Sequence, residues 1–257
     1  MDLDLTNKRV LVTGASRGIG AAIASCFLQE GADVCIVSRG SDQLHETEQM
    51  LQAAYSKYRI FAEQCDCTEP ESLALLCNRI RHRWTNIDIV VANVGDGRSA
   101  PDPLPDEDRW KKTWNKNFES ALHTARTFLP MLIESKGCLL FISSITAMEA
   151  IGAPVDYSTA KSAVTALGKN MARKLAREVR VNVLAPGNVW FPGGSWDEKI
   201  KKDRKQVEKT IESTVPMNRF GSPEEVADVA VFLCSERAKF ITGSVIVADG
   251  GQTVGVF

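Results

Sequence analysis

Short apolar, β-branched runs alternate with longer amphipathic stretches from one end of the chain to the other. The runs at residues 9–12, 34–37, 60–64, 87–92, 138–143, 179–184 and 244–248 predict seven strands. Between them, apolar positions recur at helical spacing near 18–30, 41–56, 69–83, 106–133, 155–177 and 223–235; Ile19, Ile23 and Phe27 share one face of the first. Glu69-Pro70 and Ser222-Pro223 place proline in a first helical turn, where its missing N–H costs nothing. Strands alternating with helices imply an α/β fold: one doubly wound Rossmann-type domain over residues 1–257, with a mainly parallel seven-stranded sheet covered by helices on both faces.

Two segments interrupt the alternation. Residues 95–105 follow the fourth strand, and their glycines and prolines exclude regular structure. The second break begins at Pro186 and turns into a charged helical pattern before Pro216. Both follow carboxyl ends of strands, the edge where open α/β sheets bind ligands. They are the expected substrate walls, and residues 187–215 have the glycines and length of a mobile lid.

Composition narrows the partners. The chain is 44% hydrophobic and 25% charged with net charge −1, so nothing suggests a grip on nucleic acid. The basic run 199–205 is bracketed by Asp197, Glu198 and Glu208 and reads as a solvated helix face. No apolar run approaches the roughly 18 residues of a membrane span, and the acidic start lacks the features of a signal peptide. Seven scattered cysteines suggest a reducing compartment, so the expected location is cytoplasmic. Cys65-Asp-Cys67 lacks the usual zinc spacing, and no metal is expected.

Three regions carry candidate chemistry. Thr13-Gly14-Ala15-Ser16-Arg17-Gly18-Ile19-Gly20 joins the first strand to the first helix. Its glycines permit close backbone approach to a pyrophosphate, and the helix N-terminus offers oriented N–H donors. Tyr157 and Lys161 lie four apart and share a helix face; an ammonium beside the phenol is expected to lower its pKa. Ser144, just past an apolar strand, is placed to hold a substrate oxygen with the tyrosine. Taken alone, a Tyr-x-x-x-Lys pair is common on surface helices.

The order of these motifs resembles the short-chain dehydrogenases/reductases. The glycine turn, Asn93 and Gly95, Asn117, Ser144, Tyr157, Lys161, Pro186-Gly187, Ile241-Thr-Gly243 and Asp249-Gly-Gly251 follow the family's order over the whole chain. The resemblance implies that Tyr157 is the general acid and that Lys161 binds the nicotinamide ribose and lowers the tyrosine pKa. It further implies that Ser144 orients the carbonyl, that Asn117 supports a proton-resupplying water chain, and that hydride comes from the nicotinamide. Cofactor contacts are implied at Gly14, Ser16, Arg17, Gly18, Ile19, Gly20, Ser38, Arg39, Asp66, Cys67, Asn93, Gly95, Tyr157, Lys161, Pro186, Gly187 and Val189, with Asp66 meeting the adenine amine.

At the end of the second strand the position that would carry an acid in an NAD enzyme reads Ser38, followed by Arg39, which favours NADPH over NADH. Arg17 could add a second positive contact. Three departures from the family stand out. Asn-Asn-Ala-Gly becomes Ala92-Asn-Val-Gly95, the threonine that often follows Pro-Gly gives way to Trp190-Phe191-Pro192, and Cys67 replaces an apolar residue.

The expected reaction is reduction of a ketone or aldehyde to an alcohol, or its reverse. Asp96, Arg98, Asn188, Trp190 and Trp196 would make a pocket suited to a sugar or another hydroxylated or anionic ketone. A 3-oxoacyl thioester reductase is the alternative, with Arg98 and residues 199–205 supplying a basic surface for the acyl carrier. A dinucleotide-binding regulatory protein without chemistry is the alternative of another class. The resemblance also implies a homodimer or homotetramer built on helices 106–133 and 155–177 and the C-terminal strand, with the apolar ending 254–257 suited to burial there.

Overall fold

A computed structural model describes residues 2–98 and 102–255. Seven strands form one parallel sheet in the order β3-β2-β1-β4-β5-β6-β7. They are β1 (Arg9–Thr13), β2 (Asp33–Ser38), β3 (Ile60–Gln64), β4 (Ile89–Ala92), β5 (Cys138–Ile142), β6 (Arg180–Pro186) and β7 (Val245–Ala248). All seven expected strands form. β4 starts two residues late, where the Asp88 carboxylate takes the Arg9 N–H at 2.8 Å before the regular ladder begins.

Successive side chains of a strand point to opposite faces, and both faces are buried. Val10, Val12, Val34, Ile36, Val91 and Leu140 pack on one side under α1 (Gly18–Gln29), α2 (Ser41–Ala54) and α9 (Pro223–Cys234). Leu11, Cys35, Val37, Val90, Phe141 and Val183 pack on the other under α3 (Pro70–Arg83), α5 (Ser120–Ser135) and α6 (Val155–Leu175). Burial on both faces is why the strands read as unbroken apolar runs. A reciprocal Ser222–Glu225 capping box with Pro223 in the first turn starts α9.

The helix expected over 106–133 is interrupted. α4 (Glu107–Trp114) and α5 are joined by a π turn at Asn115–Glu119, which holds Asn117. Beyond β6, the segment 187–215 contains α7 (Ser195–Lys202) and α8 (Arg204–Thr214). These pack Val207, Ile211 and Val215 with Trp196, Ile200 and Phe220 in a small apolar cluster separate from the two under the sheet.

Connections leave β1 and β4 in opposite directions, because the chain runs outward to β3 and then returns beside β1 as β4. Loops part at such a switch and open a crevice at the carboxyl ends of the strands. In the C-terminal segment, Val254 is exposed; the last two residues of the apolar ending, 256 and 257, lie outside the described residues, as do 99–101 of the loop after β4. Among the described residues no helix is long and apolar enough to cross a membrane.

Candidate active site

A cleft of about 700 Å³ opens over the β1/β4 junction. It runs from Ser38, Arg39 and Gln43, past the glycine turn, to Ser144, Tyr157 and Lys161, and is walled by residues of 145–154 and of 187–215.

The glycine turn lies between β1 and α1. Asn93, at the end of β4, holds it: its side-chain Nδ2 donates to the carbonyls of Thr13 and Gly14 at 3.1 and 3.0 Å, while its own N–H donates to Thr13 Oγ1. The amide of Asn93 is therefore spent on shaping the turn. Arg17, the N-cap of α1, makes no side-chain capping bond, so the first N–H groups of α1 retain their capacity to bind an anion. Gly18, at φ +54°, lies under the Phe191 ring; a Cβ there would fall 2.6 Å from the ring. Phe191, one of the residues standing in place of the family's threonine, thus forms a cleft wall directly above the turn. These features fit a pyrophosphate.

At the far end Ser38 Oγ donates to Ser16 Oγ at 3.3 Å. The Arg39 side chain is largely exposed, its guanidinium 3.7 Å from the Asp66 carboxylate. Asp66 accepts from the N–H and hydroxyl of Thr68 at 3.0 and 2.7 Å. Partial burial opposes ionisation of Asp66, but the Thr68 bonds and Arg39 hold its carboxyl below the usual range. Asp66 and Cys67 do not line the cleft. Cys67 is buried in the core, and the neighbouring Cys65 together with burial push its thiol well above the ordinary value. Its side chain packs, as a small hydrophobe does.

At the inner end, β5 delivers Ser143 and Ser144 to the cleft floor. Ser143 Oγ donates to the Lys161 carbonyl at 3.0 Å and lies 2.8 Å from Thr165 Oγ1, which locks α6 against the strand end. Lys161 is buried, and its Nζ donates to the Ile142 carbonyl at 2.9 Å, with the Tyr157 ring centroid 5.9 Å away. Burial pushes the Lys161 ammonium down to about 8. Tyr157 behaves opposite to the sequence expectation. Burial raises its pKa and Asp96 adds to the rise, while the adjacent Ser144 hydroxyl opposes it. Desolvation of the phenolate outweighs an ammonium that is directed at a backbone carbonyl.

Asn117 sits fully buried in the π turn. Its Oδ1 accepts from Asp96 N at 2.9 Å, and its Nδ2 donates to the carbonyls of Asp96 and Thr113. Gly95 makes the close approach possible: a Cβ there would lie 2.9 Å from Lys161 Nζ and 3.0 Å from Asn117 Oδ1. π turns recur at functional sites, and here the distortion brings Asn117 onto the loop that crosses the lysine.

Charge at the mouth is organised around Asp96. Lys116 Nζ binds its Oδ2 at 2.8 Å and Arg98 Nη1 its Oδ1 at 3.2 Å. Although burial works against the Asp96 carboxylate, these partners and the Arg98 N–H hold its pKa below the usual range.

Of the residues named from sequence, Gly14, Ser16, Arg17, Ile19, Gly20, Ser38, Arg39, Asn93, Gly95, Ser144, Tyr157, Lys161, Pro186, Gly187 and Val189 line this one cleft. Gly18, Asn117, Asp66 and Cys67 do not. Asp96, Arg98, Asn188 and Trp196 reach the expected substrate end, but Trp190 does not line it. Lys116, Thr146 and Gln252 line the cleft without having been expected. Lys116 was signalled only by its place beside Asn117.

A family pattern described as enoyl-(acyl carrier protein) reductase matches residues 14–253. The chain is 30% identical over 255 residues to the 3-oxoacyl-acyl-carrier-protein reductase of Thermotoga maritima, covering 97% of this chain and 99% of that protein. It belongs to the short-chain dehydrogenase/reductase family. Within that family it is also 35% identical over 255 residues to L-fucose dehydrogenase of Oryctolagus cuniculus, across 96% of this chain and 86% of the relative. The structure of L-sorbose reductase from Gluconobacter frateurii, complexed with NADPH and L-sorbose, superposes with a TM-score of 0.93 at 30% identity over 100% of both chains. The protein is accordingly an NAD(P)-dependent oxidoreductase of that family.

Proposed function

We propose that this protein is an NADPH-dependent reductase of a hydroxylated ketone. The observation that carries the reading is the convergence of Ser144, Tyr157 and Lys161 at the inner end of a cleft whose outer end presents Ser38 and Arg39.

The glycine turn and the uncapped start of α1 would hold the pyrophosphate, and Arg39 would meet a ribose 2′-phosphate where an acid would reject it. When bound, the nicotinamide supplies the hydride. Ser144 and Tyr157 hydroxyls hold the carbonyl oxygen between them. The phenol, protonated at neutral pH and with its pKa raised further by burial, gives its proton to that oxygen as negative charge develops. Lys161 then stabilises the phenolate left behind. Asn117 fixes the Asp96 backbone and so positions the loop over this pair. Residues 187–215 act as the substrate lid, which their separate apolar cluster permits to move as a unit.

The polar mouth favours a hydroxylated ketone over a 3-oxoacyl thioester. Arg98, which a carrier protein would use, is already bound by Asp96 and Glu198, and in the basic run Lys201 pairs with Asp197. The L-sorbose reductase likeness supports the same choice. The decisive measurement is oxidation of NADPH, and separately NADH, with ketohexoses and with acetoacetyl thioesters. Turnover of the thioester alone would overturn the substrate reading, and an NADH preference the Arg39 reading.

A further inference from the structure

The substrate end of the cleft carries an ion pair between two of its own lining residues. Lys116 Nζ lies 2.8 Å from Asp96 Oδ2, and the two side chains keep 31% and 18% of their surface exposed, so a ligand in the cleft can touch both. A fixed ammonium beside a carboxylate presents a hydrogen-bond donor next to an acceptor. We propose that Lys116 and Asp96 are the specificity-determining pair of the substrate pocket, reading two neighbouring hydroxyl groups of the ketone, with Lys116 donating to one and Asp96 accepting from the other. This assignment rests on the reductase reading above and adds the residues that select its substrate.

Their placement supports the role. Asp96 is held at both ends: its N–H donates to Asn117 Oδ1 at 2.9 Å, and its Oδ1 accepts from the Arg98 N–H and Nη1 at 3.0 and 3.2 Å. Lys116 belongs to the π turn Asn115–Glu119, so the turn whose Asn117 anchors the loop also carries the cation that faces it. The next loop residue, Gly97, lies over the phenol; a Cβ there would stand 3.7 Å from Tyr157 Cζ, the ring carbon that bears the hydroxyl. The Asp96 charge is close enough to add to the rise in the Tyr157 pKa. The pair therefore stands beside the proton donor, on the side where hydroxyls near the substrate carbonyl would lie.

The bonding capacity left on the pair selects the ligand class. An ammonium has three N–H donors, and among the described residues Lys116 Nζ bonds Asp96 alone. A carboxylate accepts about four hydrogen bonds, and Asp96 receives them only from Lys116 and from the Arg98 N–H and Nη1 among those residues. Donor and acceptor capacity thus remains on adjacent atoms. Hydroxyls on neighbouring carbons offer an acceptor and a donor a hydrogen-bond length apart, whereas the methylenes of an acyl chain offer neither. The ion pairs join Asp96 and Glu198 to Lys116 and Arg98, a neutral set of two carboxylates and two cations, so an anionic group reaching Lys116 would also meet the Asp96 carboxylate. A pocket built to bond a hydroxyl discriminates strongly against the analogue that lacks it, because its own polar groups are then left unpaired.

The test is the ratio of kcat/KM for a ketohexose, such as L-sorbose, to that for 2-hexanone, measured with NADPH for wild type, Lys116→Met, Lys116→Arg and Asp96→Asn. Lys116→Met is expected to lower the ratio about tenfold or more, as for loss of a charged hydrogen bond. Lys116→Arg should keep most of the ratio, and Asp96→Asn should lower it because the amide is a weaker acceptor and releases the lysine. A purely structural pair would lower turnover of both ketones together and leave the ratio unmoved; that result overturns the assignment while leaving the reductase reading intact. If Lys116→Met does not fold, Asp96→Asn decides. A wild type that prefers 5-ketogluconate to the ketohexose, and loses that preference in Lys116→Met, would give Lys116 to a carboxylate and overturn the pair. A wild-type protein that reduces 2-hexanone or acetoacetyl thioesters but no ketohexose overturns the substrate reading, and the assignment with it.

Discussion

Arg98 holds Glu198 through two nitrogens, Nε at 2.9 and 3.1 Å from the carboxylate oxygens and Nη2 at 2.7 Å, and so ties the loop after β4 to helix α7. The same Nη2 donates to the Gly193 carbonyl at 2.8 Å. Loop and lid are therefore latched across the mouth of the cleft, by a pair that remains open to solvent.

Glu198→Gln should unlatch the lid. We expect a raised KM for the ketone and a larger KM in high salt for wild type than in low salt, since exposed pairs are screened. The melting temperature should barely move. A steady-state titration at two ionic strengths checks this, and an unchanged KM in both would remove the latch.

Tyr157→Phe should lower kcat roughly 10²- to 10⁴-fold, the usual worth of a positioned proton donor. NADPH binding, followed by quenching of intrinsic fluorescence, should persist. Wild-type turnover in the variant would rule out the phenol as proton donor.

The pH dependence follows from burial. Lys161 is held down to about 8 from its ordinary 10.5, so the folded protein releases this proton before the unfolded chain does. Between about pH 8 and 10.5 the unfolded state binds more protons, and stability from this group rises with pH. Wild type should gain thermal stability relative to Lys161→Met across that window. Over the same range the reduction rate should fall as the ammonium is lost, while below pH 8 it should be level because the Tyr157 phenol stays protonated. A kcat/KM profile against pH, beside melting curves of both proteins, measures the two trends.

Arg39→Asp should exchange the cofactor preference. The substitution removes the cation offered to a 2′-phosphate and places an anion near Asp66, which now lies 3.7 Å from the guanidinium. The NADPH-to-NADH ratio of kcat/KM should drop roughly tenfold or more, as for loss of a charged hydrogen bond. Parallel assays with both cofactors decide.

Gly95→Ala should damage activity more than stability. Its Cβ would lie 2.9 Å from Lys161 Nζ and 3.0 Å from Asn117 Oδ1, so both groups must shift, the lysine away from its bond to the Ile142 carbonyl. Relief of that contact displaces the group beside the phenol. Comparison of kcat with melting temperature separates the two effects.

The sequence alone was enough for the strand and helix succession, because strands buried on both faces must be apolar throughout and helix faces repeat locally. It was also enough to bring Tyr157 and Lys161 together, since four residues along a helix is a local spacing. Family order made Ser144, Asn93 and the glycine turn legible in the same way. The π turn at Asn115–Glu119 was not, because what accompanies it is the bonding of the Asn117 amide to a loop distant in the chain. The sign of the Tyr157 shift also lay beyond local reading. Spacing to Lys161 argued for a lowered value, but desolvation depends on everything packed around the ring, including Gly97 of the loop after β4. Local periodicity and motif order determined which groups this protein carries. Burial and long-range hydrogen bonding, which sum over segments remote in sequence, decided their proton affinities and the loops that meet around them.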